Sequence, residues 1–588
     1  MKQNVFNVIT LLCIISFFVF SGCEKENIIE FAAEVEVGEL QLNPYGFAPL
    51  VATLEVEISK GDITASVKVL AKTKNDSDHN TEITLAPGSG KQVLPILGLY
   101  PDYVNEIEIA LRDMNGNLIA EVKETITTTP LPFEFNEEPV VTGDMGENEM
   151  IFTVLFSDFN LSSTGTGSVS YVEYATIFDK NGNVRWYSDF KNREHWVMEL
   201  IDNHIYAGSG GGIHKSELIK YNFLGEEVEV HNISSFGERT GFEKIHHDIK
   251  KTVNETFLLT VNGIENPSIE NFIIEYDPTL AQNNTQSVID LEEILPNVDD
   301  LFFDLPQSYA PGKTDAIHNN GIFPYPDGRN VLVSSQRSGL AKVNINTGTL
   351  LWYFFPHKVK AAPGYDKSSY STAPALDDNY FPIPHESWRP PANGEFPSQD
   401  YQFSGAFNYG EFLLQPLDGS GSIITDDNVV WEGRVGSGFS YPYRQHSPVI
   451  LENNNIMVFD NGFMRDFIPA RSFSRAVEYK ITEDSGDGYG GTVQQVWDYT
   501  PSLDDSYFAP TGGGARELEN GNRLIAFSSV GFMLSANLTP EQKEIASQNT
   551  KAYIVEVTPT MPAQEVFSLT LNTKSIGMTV YSADKINF

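Results

Sequence analysis

The chain has 588 residues, and its 79 Asp and Glu outnumber its 39 Lys and Arg, which gives a formal net charge of −40. A field of that sign repels nucleic acid, and it would also repel an anionic substrate, so any anion site must be locally cationic. Of its two cysteines, Cys13 lies in a segment predicted to be removed, so the mature protein has no intramolecular disulfide, and we exclude thiol catalysis and cysteine-bound zinc.

Residues 1–22 have the pattern of a bacterial export signal. Lys2 gives a positive start, and the apolar run Val8–Phe20 is too short to span a bilayer. The run ends in small residues directly before Cys23, which resembles the lipobox of bacterial lipoproteins; an ordinary signal peptide with a chance cysteine is the alternative. We expect an exported lipoprotein, periplasmic or anchored in the outer membrane by lipid on Cys23, with residues 23–35 as a tether.

Residues 36–130 predict a small β-sandwich. The segments 52–58, 64–69 and 105–110 alternate apolar and polar residues with a period of two, as half-buried strands do. Roughly seven such strands fit into about 90 residues, which favours an immunoglobulin-like fold.

Residues 131–588 carry a loose repeat of an apolar strand, a turn with Asn or Asp and Gly, and a strand that ends in an aromatic residue. Residues 177–186 and 343–352 are two examples. About six such units predict a six-bladed β-propeller, with seven or eight blades as the alternative. The predicted fold is therefore all-β, with the sandwich before the propeller.

Residues 356–430 interrupt the repeat and are rich in Pro, Gly and aromatic residues. The segment is compatible with a structural excursion that covers an edge. It is equally compatible with a lid that would stack on aromatic substrates.

Three histidines, His247, His318 and His446, each stand at the start of a predicted propeller-blade strand, and Arg337 follows one strand after His318. Their spacing is too long for a local metal motif, so only a fold that repeats around one axis would gather them. Together they would form a cationic, proton-handling pocket suited to an anionic group such as sulfate. The structural alternative is that strand-end histidines bond neighbouring blades and that Arg337 makes an inter-blade ion pair. Strand alternation predicts that His246 points away from His247.

Further arginines are alternative cations for the same pocket. They are Arg465, Arg475 and Arg516.

With these residues, the chain resembles the bacterial arylsulfate sulfotransferases, which are exported enzymes built from an N-terminal β-sandwich and a six-bladed propeller. The segments that carry the resemblance best are Gln445-His446, Phe459–Gly462 and Phe473–Tyr479. The resemblance implies transfer of a sulfuryl group from a phenolic sulfate ester to a phenolic acceptor, with no nucleotide donor and no cofactor. The chain also lacks a phosphate-binding Gly-rich loop between a strand and a helix.

The resemblance also implies a role for each candidate. His446 would be the nucleophile that forms a transient sulfohistidine. His318 and Arg337 would bind the sulfuryl oxygens, with Asn320 as a hydrogen-bonding group beside them. His247 would be the general acid for the departing phenolate and the general base for the incoming phenol.

Two other functions stay open. A metal-dependent hydrolase could use His247, His318 and His446 as zinc ligands around an activated water, although Arg337 beside a dication would be unfavourable. A non-catalytic surface-binding propeller lipoprotein is the third hypothesis. The sequence leaves a homodimer open.

Overall fold

A computed structural model describes residues 34–587, apart from a set of gaps. The gaps are residues 61, 74–75, 77, 86–90, 147, 159–170, 191–194, 210–215, 234, 237–238, 241, 264–268, 281–284, 296–314, 316, 356–410, 425–437, 463–472, 486–489, 502–506, 531–547 and 575–578. The predicted signal segment, Cys23 and most of the tether lie outside the described residues. In the described part of the chain, no helix has both the length and the apolar character needed to cross a membrane.

Seven strands form the N-terminal sandwich, in two sheets of order β1-β2-β5 and β4-β3-β6-β7. They are β1 Glu34–Leu42, β2 Ala52–Lys60, β3 Ile63–Val69, β4 His79–Leu85, β5 Lys91–Ile96, β6 Val104–Asp113 and β7 Leu118–Thr127. Buried and partly exposed residues alternate along β3, because one face of its sheet packs on the sandwich core. The seven predicted strands are therefore present.

The sandwich and the propeller share one hydrophobic core. Ile109 of the sandwich belongs to the same buried cluster as Tyr174 and Leu569 of the propeller. Arg185, also buried, donates to the carbonyl oxygen of Gly98 at 2.6 Å and pairs with Asp179 at 3.0 Å. These contacts hold the two parts together.

The rest of the described chain forms strands β8 to β35, and six sheets are arranged as blades. The first sheet has the order β11-β10-β9-β35, and the second runs from β12 to β15. The strands are β8 Phe135–Gly143, β9 Met150–Asp158, β10 Tyr171–Phe178, β11 Val184–Tyr187, β12 His195–Ile201, β13 His204–Ser209, β14 Glu217–Tyr221 and β15 Glu227–Asn232.

The third and fourth sheets run from β18 to β21 and from β22 to β25, and a small hairpin, β16-β17, precedes them. The elements are β16 Ser235–Phe236, β17 Arg239–Thr240, β18 Phe242–Lys251, β19 Phe257–Gly263, β20 Phe272–Tyr276, β21 Thr285–Asp290, the 3₁₀ helix Leu291–Glu293, β22 Asn319–Pro324, β23 Asn330–Ser335, β24 Gly339–Asn344 and β25 Leu350–Phe354.

The fifth sheet has the order β26-β30-β29-β28-β27, and the sixth has the order β31-β32-β33-β34-β8. The strands are β26 Leu414–Leu417, β27 His446–Ile450, β28 Ile456–Asp460, β29 Arg475–Glu483, β30 Gly491–Tyr499, β31 Gly514–Glu517, β32 Arg523–Val530, β33 Lys551–Val557, β34 Glu565–Thr573 and β35 Val580–Ile586.

Both ends of the propeller segment close the ring. The C-terminal strand β35 pairs with β9 in the first blade, and the N-terminal strand β8 pairs with β34 in the sixth. The inner strands β12, β18, β22, β27, β31 and β35 are neighbours in that order. Six blades in the described chain confirm the predicted fold class, a six-bladed propeller after an immunoglobulin-like sandwich.

Only residues 411–424 of the predicted insertion are described. They include β26, which pairs in parallel with β30 at the outer edge of the fifth blade. This part of the insertion therefore extends a sheet, and the stretch expected to act as a lid lies outside the described residues.

Candidate active site

The three predicted histidines lie at the same kind of backbone irregularity in successive blades. The pairing register shifts around His247 within β18 and between His446 and Val449 within β27. In the fourth blade it shifts at the start of β22, directly after His318. The φ angles of His247, His318 and Ser447 are +49°, +50° and +49°. A left-handed residue at a bulge re-aims the side chains next to it. The repeated bulge explains why histidines from three blades can face one centre.

The predicted histidines lie close together in the structure. The ring centroids of His247 and His318 lie 5.1 Å apart. Tyr581, on the last strand, lies 6.2 Å from the ring of His247 and 6.2 Å from that of His446. Imidazoles from the third and fifth blades thus flank a tyrosine from the first blade, and the imidazole from the fourth blade lies beside that of the third.

His318 lies in a network of charged groups. Its Nδ1 lies 2.7 Å from Oδ2 of Asp315 and 2.9 Å from Oε2 of Glu270. The same Asp315 oxygen accepts a hydrogen bond from a terminal nitrogen of Arg337 at 3.1 Å. Burial alone would lower the pKa of His318, but the two carboxylates outweigh it and raise that pKa to about 10. His318 is therefore a cation at neutral pH.

His446 has a different partner. Its Nδ1 lies 2.6 Å from Oδ1 of Asn461 and 3.1 Å from the carbonyl oxygen of Arg444. Burial lowers the pKa of His446 to about 3, because no carboxylate offsets the loss of solvent around its charged form. His446 is therefore neutral at physiological pH.

His247 is also neutral, since burial lowers its pKa to about 4. The prediction that His246 points away from it is wrong. The Nδ1 atoms of His246 and His247 lie only 2.8 Å apart, with the rings edge-on. The bulge between Ile245 and Ile249 breaks the strand alternation on which that prediction depended.

Asn320 lies next to the site, but its amide is engaged in joining two blades. Its Nδ2 donates to the carbonyl oxygen of Gln445 at 2.7 Å, and its Oδ1 accepts from the hydroxyl of Ser334 at 2.8 Å. The hydroxyl of Tyr581 donates to the carbonyl oxygen of Asn320 at 3.3 Å. A direct contact between Asn320 and a substrate stays a prediction.

The pocket is less cationic than the sequence suggested. Two of the three imidazoles are neutral, and the positive charges of His318 and Arg337 face the carboxylates of Asp315 and Glu270. The two cations are therefore fixed, oriented donors and do not give the pocket a large excess of positive charge.

The alternative arginines have other partners. Arg475 pairs with Asp460 at 2.8 Å, Arg516 pairs with Asp584, and Arg465 lies outside the described residues.

Two groups of three side chains have possible ligand atoms within 4.8 Å of one another. One contains His246, His247 and Glu270, and the other contains Glu270, Asp315 and His318. Neither group in the described chain contains His446, so the three zinc ligands of the hydrolase alternative do not lie within 4.8 Å of one another there. The ion pairs of His318 explain the second group without a metal.

Sequence reasoning missed three residues of this site: Glu270, Asn461 and Tyr581. Asn461 was in a segment that supported the resemblance, so its place was marked although its role was not. Glu270 and Tyr581 carried no local signal, because their positions depend on how distant strands pair.

Comparison with known proteins identifies the family of the chain. The family model described as "Arylsulfotransferase (ASST)" matches residues 157–575, and "Arylsulfotransferase Ig-like domain" matches residues 39–130. The chain belongs to the arylsulfotransferase family. It is therefore an enzyme, a sulfotransferase that acts on aryl sulfates, as the resemblance implied.

Relatives match the sulfotransferase over most of its length. It is 21% identical over 558 residues to arylsulfate sulfotransferase AssT of Escherichia coli O6:H1 (strain CFT073), covering 81% of this chain and 82% of the relative. It is 21% identical over 578 residues to AssT of Lelliottia amnigena, covering 84% and 85%. TolB from Acinetobacter baumannii is among the similar solved structures, at 10% identity and a TM-score of 0.28, covering 82% of this chain and 79% of TolB.

Proposed function

We propose that this sulfotransferase moves a sulfuryl group from a phenolic sulfate ester to a phenolic acceptor through a sulfohistidine on His446. The observation that carries the proposal is the hydrogen bonding of Asn461, since it determines which nitrogen of His446 is free to attack.

The orientation of the Asn461 amide follows from its neighbours. Its Nδ2 lies 2.7 Å from the carbonyl oxygens of both Ala509 and Gly512, which can only accept. The amide oxygen must then face Nδ1 of His446, at 2.6 Å. Because that oxygen also only accepts, Nδ1 carries the hydrogen, and Nε2 keeps its lone pair. Burial, which keeps the ring neutral, supports the same conclusion.

The remaining charges suit the group being transferred. A planar guanidinium at Arg337 can hold two sulfuryl oxygens, and the imidazolium of His318 adds one donor. Asp315, at 2.7 Å from His318 and 3.1 Å from Arg337, orients both cations. Donors fixed in advance stabilise charge that develops on the oxygens in the transition state.

Two displacements at sulfur complete the reaction. In the first, Nε2 of His446 forms a bond to sulfur while the bond from sulfur to the aryl oxygen breaks, and the electron pair leaves with the phenolate. In the second, the acceptor oxygen attacks sulfur, the N–S bond breaks, and the phenolic proton passes to His247. A pKa of about 4 makes His247 a base rather than an acid at neutral pH. Departure as a phenolate therefore favours donors with acidic phenols.

Mass spectrometry tests the intermediate directly. The enzyme is mixed with p-nitrophenyl sulfate without acceptor, quenched and digested. The expected result is one added sulfuryl group on the peptide that contains His446, lost when phenol is added before the quench. The control is Asn461→Ser, which should give slower labelling of the same peptide. Turnover with no labelled peptide, or with a label elsewhere, would contradict the proposal.

We further propose that the enzyme is exported as a lipoprotein and is periplasmic or anchored in the outer membrane through Cys23. The lipobox-like residues before Cys23 support this, and so does a donor that needs no nucleotide. A homodimer stays a prediction, which light scattering of the purified enzyme tests.

A further inference from the structure

The contact between His246 and His247 has a chemical consequence that builds on the proposed function. We infer that His246 is a positioning residue: its Nδ1 accepts the hydrogen of His247 Nδ1, which leaves Nε2 of His247 as the nitrogen that takes the proton of the acceptor phenol.

The distance restricts the hydrogens of both rings. The two Nδ1 atoms lie 2.8 Å apart, so exactly one hydrogen can lie between them. Two hydrogens would collide, and two lone pairs would repel. The rings must therefore have complementary tautomers, one with Nδ1 protonated and one with Nδ1 bare.

The role proposed for His247 decides the direction of this hydrogen bond. His246 is 1% exposed, and among the described residues its Nε2 has no hydrogen-bond partner. The carboxylate of Glu270, itself 1% exposed, belongs to the same cluster of possible ligand atoms within 4.8 Å. A neutral His246 can carry its one ring hydrogen on Nδ1 or on Nε2. With Nε2 protonated, neutral His246 offers a bare Nδ1.

The opposite direction would disable the base. If His246 donated from Nδ1, His247 would be neutral only with its hydrogen on Nε2, and it would then have no lone pair for the phenol. The half-buried ring of His247 packs against His318 and Tyr581. Only the inferred direction leaves a basic nitrogen on the edge of His247 that is not occupied by His246.

The backbone holds this pair in place. The hydroxyl of Thr260 donates to the carbonyl oxygen of His246 and accepts from the backbone N–H of Asp248, so it clamps the bulge on both sides of His247. The positive φ of His247 places two consecutive side chains on the same side of the strand, which regular alternation would forbid. His246 thus occupies the place that a carboxylate has behind many catalytic histidines.

A matched pair of variants tests the inference. His246→Asn can put an amide oxygen where Nδ1 stands and accept from His247, whereas His246→Gln reaches the position of Nε2 and offers no acceptor at Nδ1. Two rates are measured: the burst of p-nitrophenol without acceptor, which reports sulfohistidine formation, and the decay of the labelled enzyme with phenol.

We expect His246→Gln to slow the decay by roughly 10- to 100-fold, within the range of general base catalysis, and to leave the burst within a few-fold of wild type. His246→Asn should restore most of the decay rate. In a His247→Ala background, His246→Gln should cause almost no further loss.

Three results would overturn the inference: equal slowing of both rates by His246→Gln, equal decay rates for the Asn and Gln variants, or a full further loss in the His247→Ala background. Thermal melting confirms that each variant is folded. Failure of the proposed function would be recognised separately, since wild-type enzyme would then show no labelled His446.

Discussion

Replacing Glu270 by Gln should move the alkaline limit of activity toward neutral pH. Glu270 lies 2.9 Å from Nδ1 of His318 and helps to raise the pKa of that imidazole from 6.5 to about 10. At 1.36 kcal/mol per pH unit, this rise corresponds to roughly 5 kcal/mol in favour of the imidazolium. Burial lowers the same pKa, so the two carboxylates together must contribute more than this roughly 5 kcal/mol.

The expected size of the effect follows from that free energy. If Glu270 supplies about half of the carboxylate contribution, which also offsets burial, its loss lowers the pKa of His318 to about 8 or below. The active form is the cation, so activity is lost as pH rises through the pKa. At pH 9 the charged fraction then falls from about nine-tenths to about one-tenth or less, whereas at pH 7 a much larger fraction stays charged. The ratio of variant to wild-type rates should therefore drop by roughly an order of magnitude or more between pH 7 and pH 9.

The burst of p-nitrophenol without acceptor is the right assay, because it removes the ionisation of the acceptor phenol from the profile. Glu275→Gln is the matched control: Glu275 is also buried, but it accepts a hydrogen bond from Thr256 at 2.8 Å, outside the histidine cluster. A folded Glu270→Gln enzyme with the wild-type alkaline limit would refute the idea that this carboxylate maintains the charge of His318.

Four further outcomes are expected. His446→Ala should abolish both the burst and the labelling while circular dichroism stays unchanged; a labelled, active variant would exclude His446 as the nucleophile. Arg337→Lys should lose about 10²- to 10³-fold in turnover although it keeps the charge, because an ammonium cannot hold two oxygens, and near-normal turnover would remove that role. Cys23→Ser should lose palmitate labelling and membrane retention in an exporting host; a variant that keeps both would show that the anchor lies elsewhere. Dialysis against EDTA should leave transfer intact, whereas activity lost there and restored by zinc would favour the hydrolase.

Sequence patterns predicted the elements of this fold that depend on local periodicity. The alternation in β3 and the recurring turns of the propeller were visible because each strand carries its own pattern. The closure of the propeller ring could not be predicted, since it depends on pairing between strands from the two ends of the propeller, such as Val580 with Leu155. No short window of sequence contains that information.

The site also has features that local sequence patterns predict and features that they do not. His247, His318 and His446 could be found because a histidine recurs beside the inner-strand bulge of three successive blades, although the left-handed position of His247 and His318 is held by Ser447 in the fifth blade. Their protonation states could not be predicted, because they depend on side chains from other parts of the chain. Glu270 raises the pKa of His318 from a different strand pair, and the amide of Asn461 reaches Nδ1 of His446 from the next strand.

The three histidines therefore differ in the group that faces their Nδ1 atom. Two carboxylates at His318 stabilise a cation, the amide oxygen of Asn461 fixes a neutral tautomer at His446, and a second imidazole accompanies His247. In the proposed mechanism, one residue type then serves as anion holder, nucleophile and base within a single pocket. Because a buried carboxylate stabilises an added proton on a neighbouring imidazole and a neutral amide or imidazole does so far less, exchanging these partners would change the charge of each histidine.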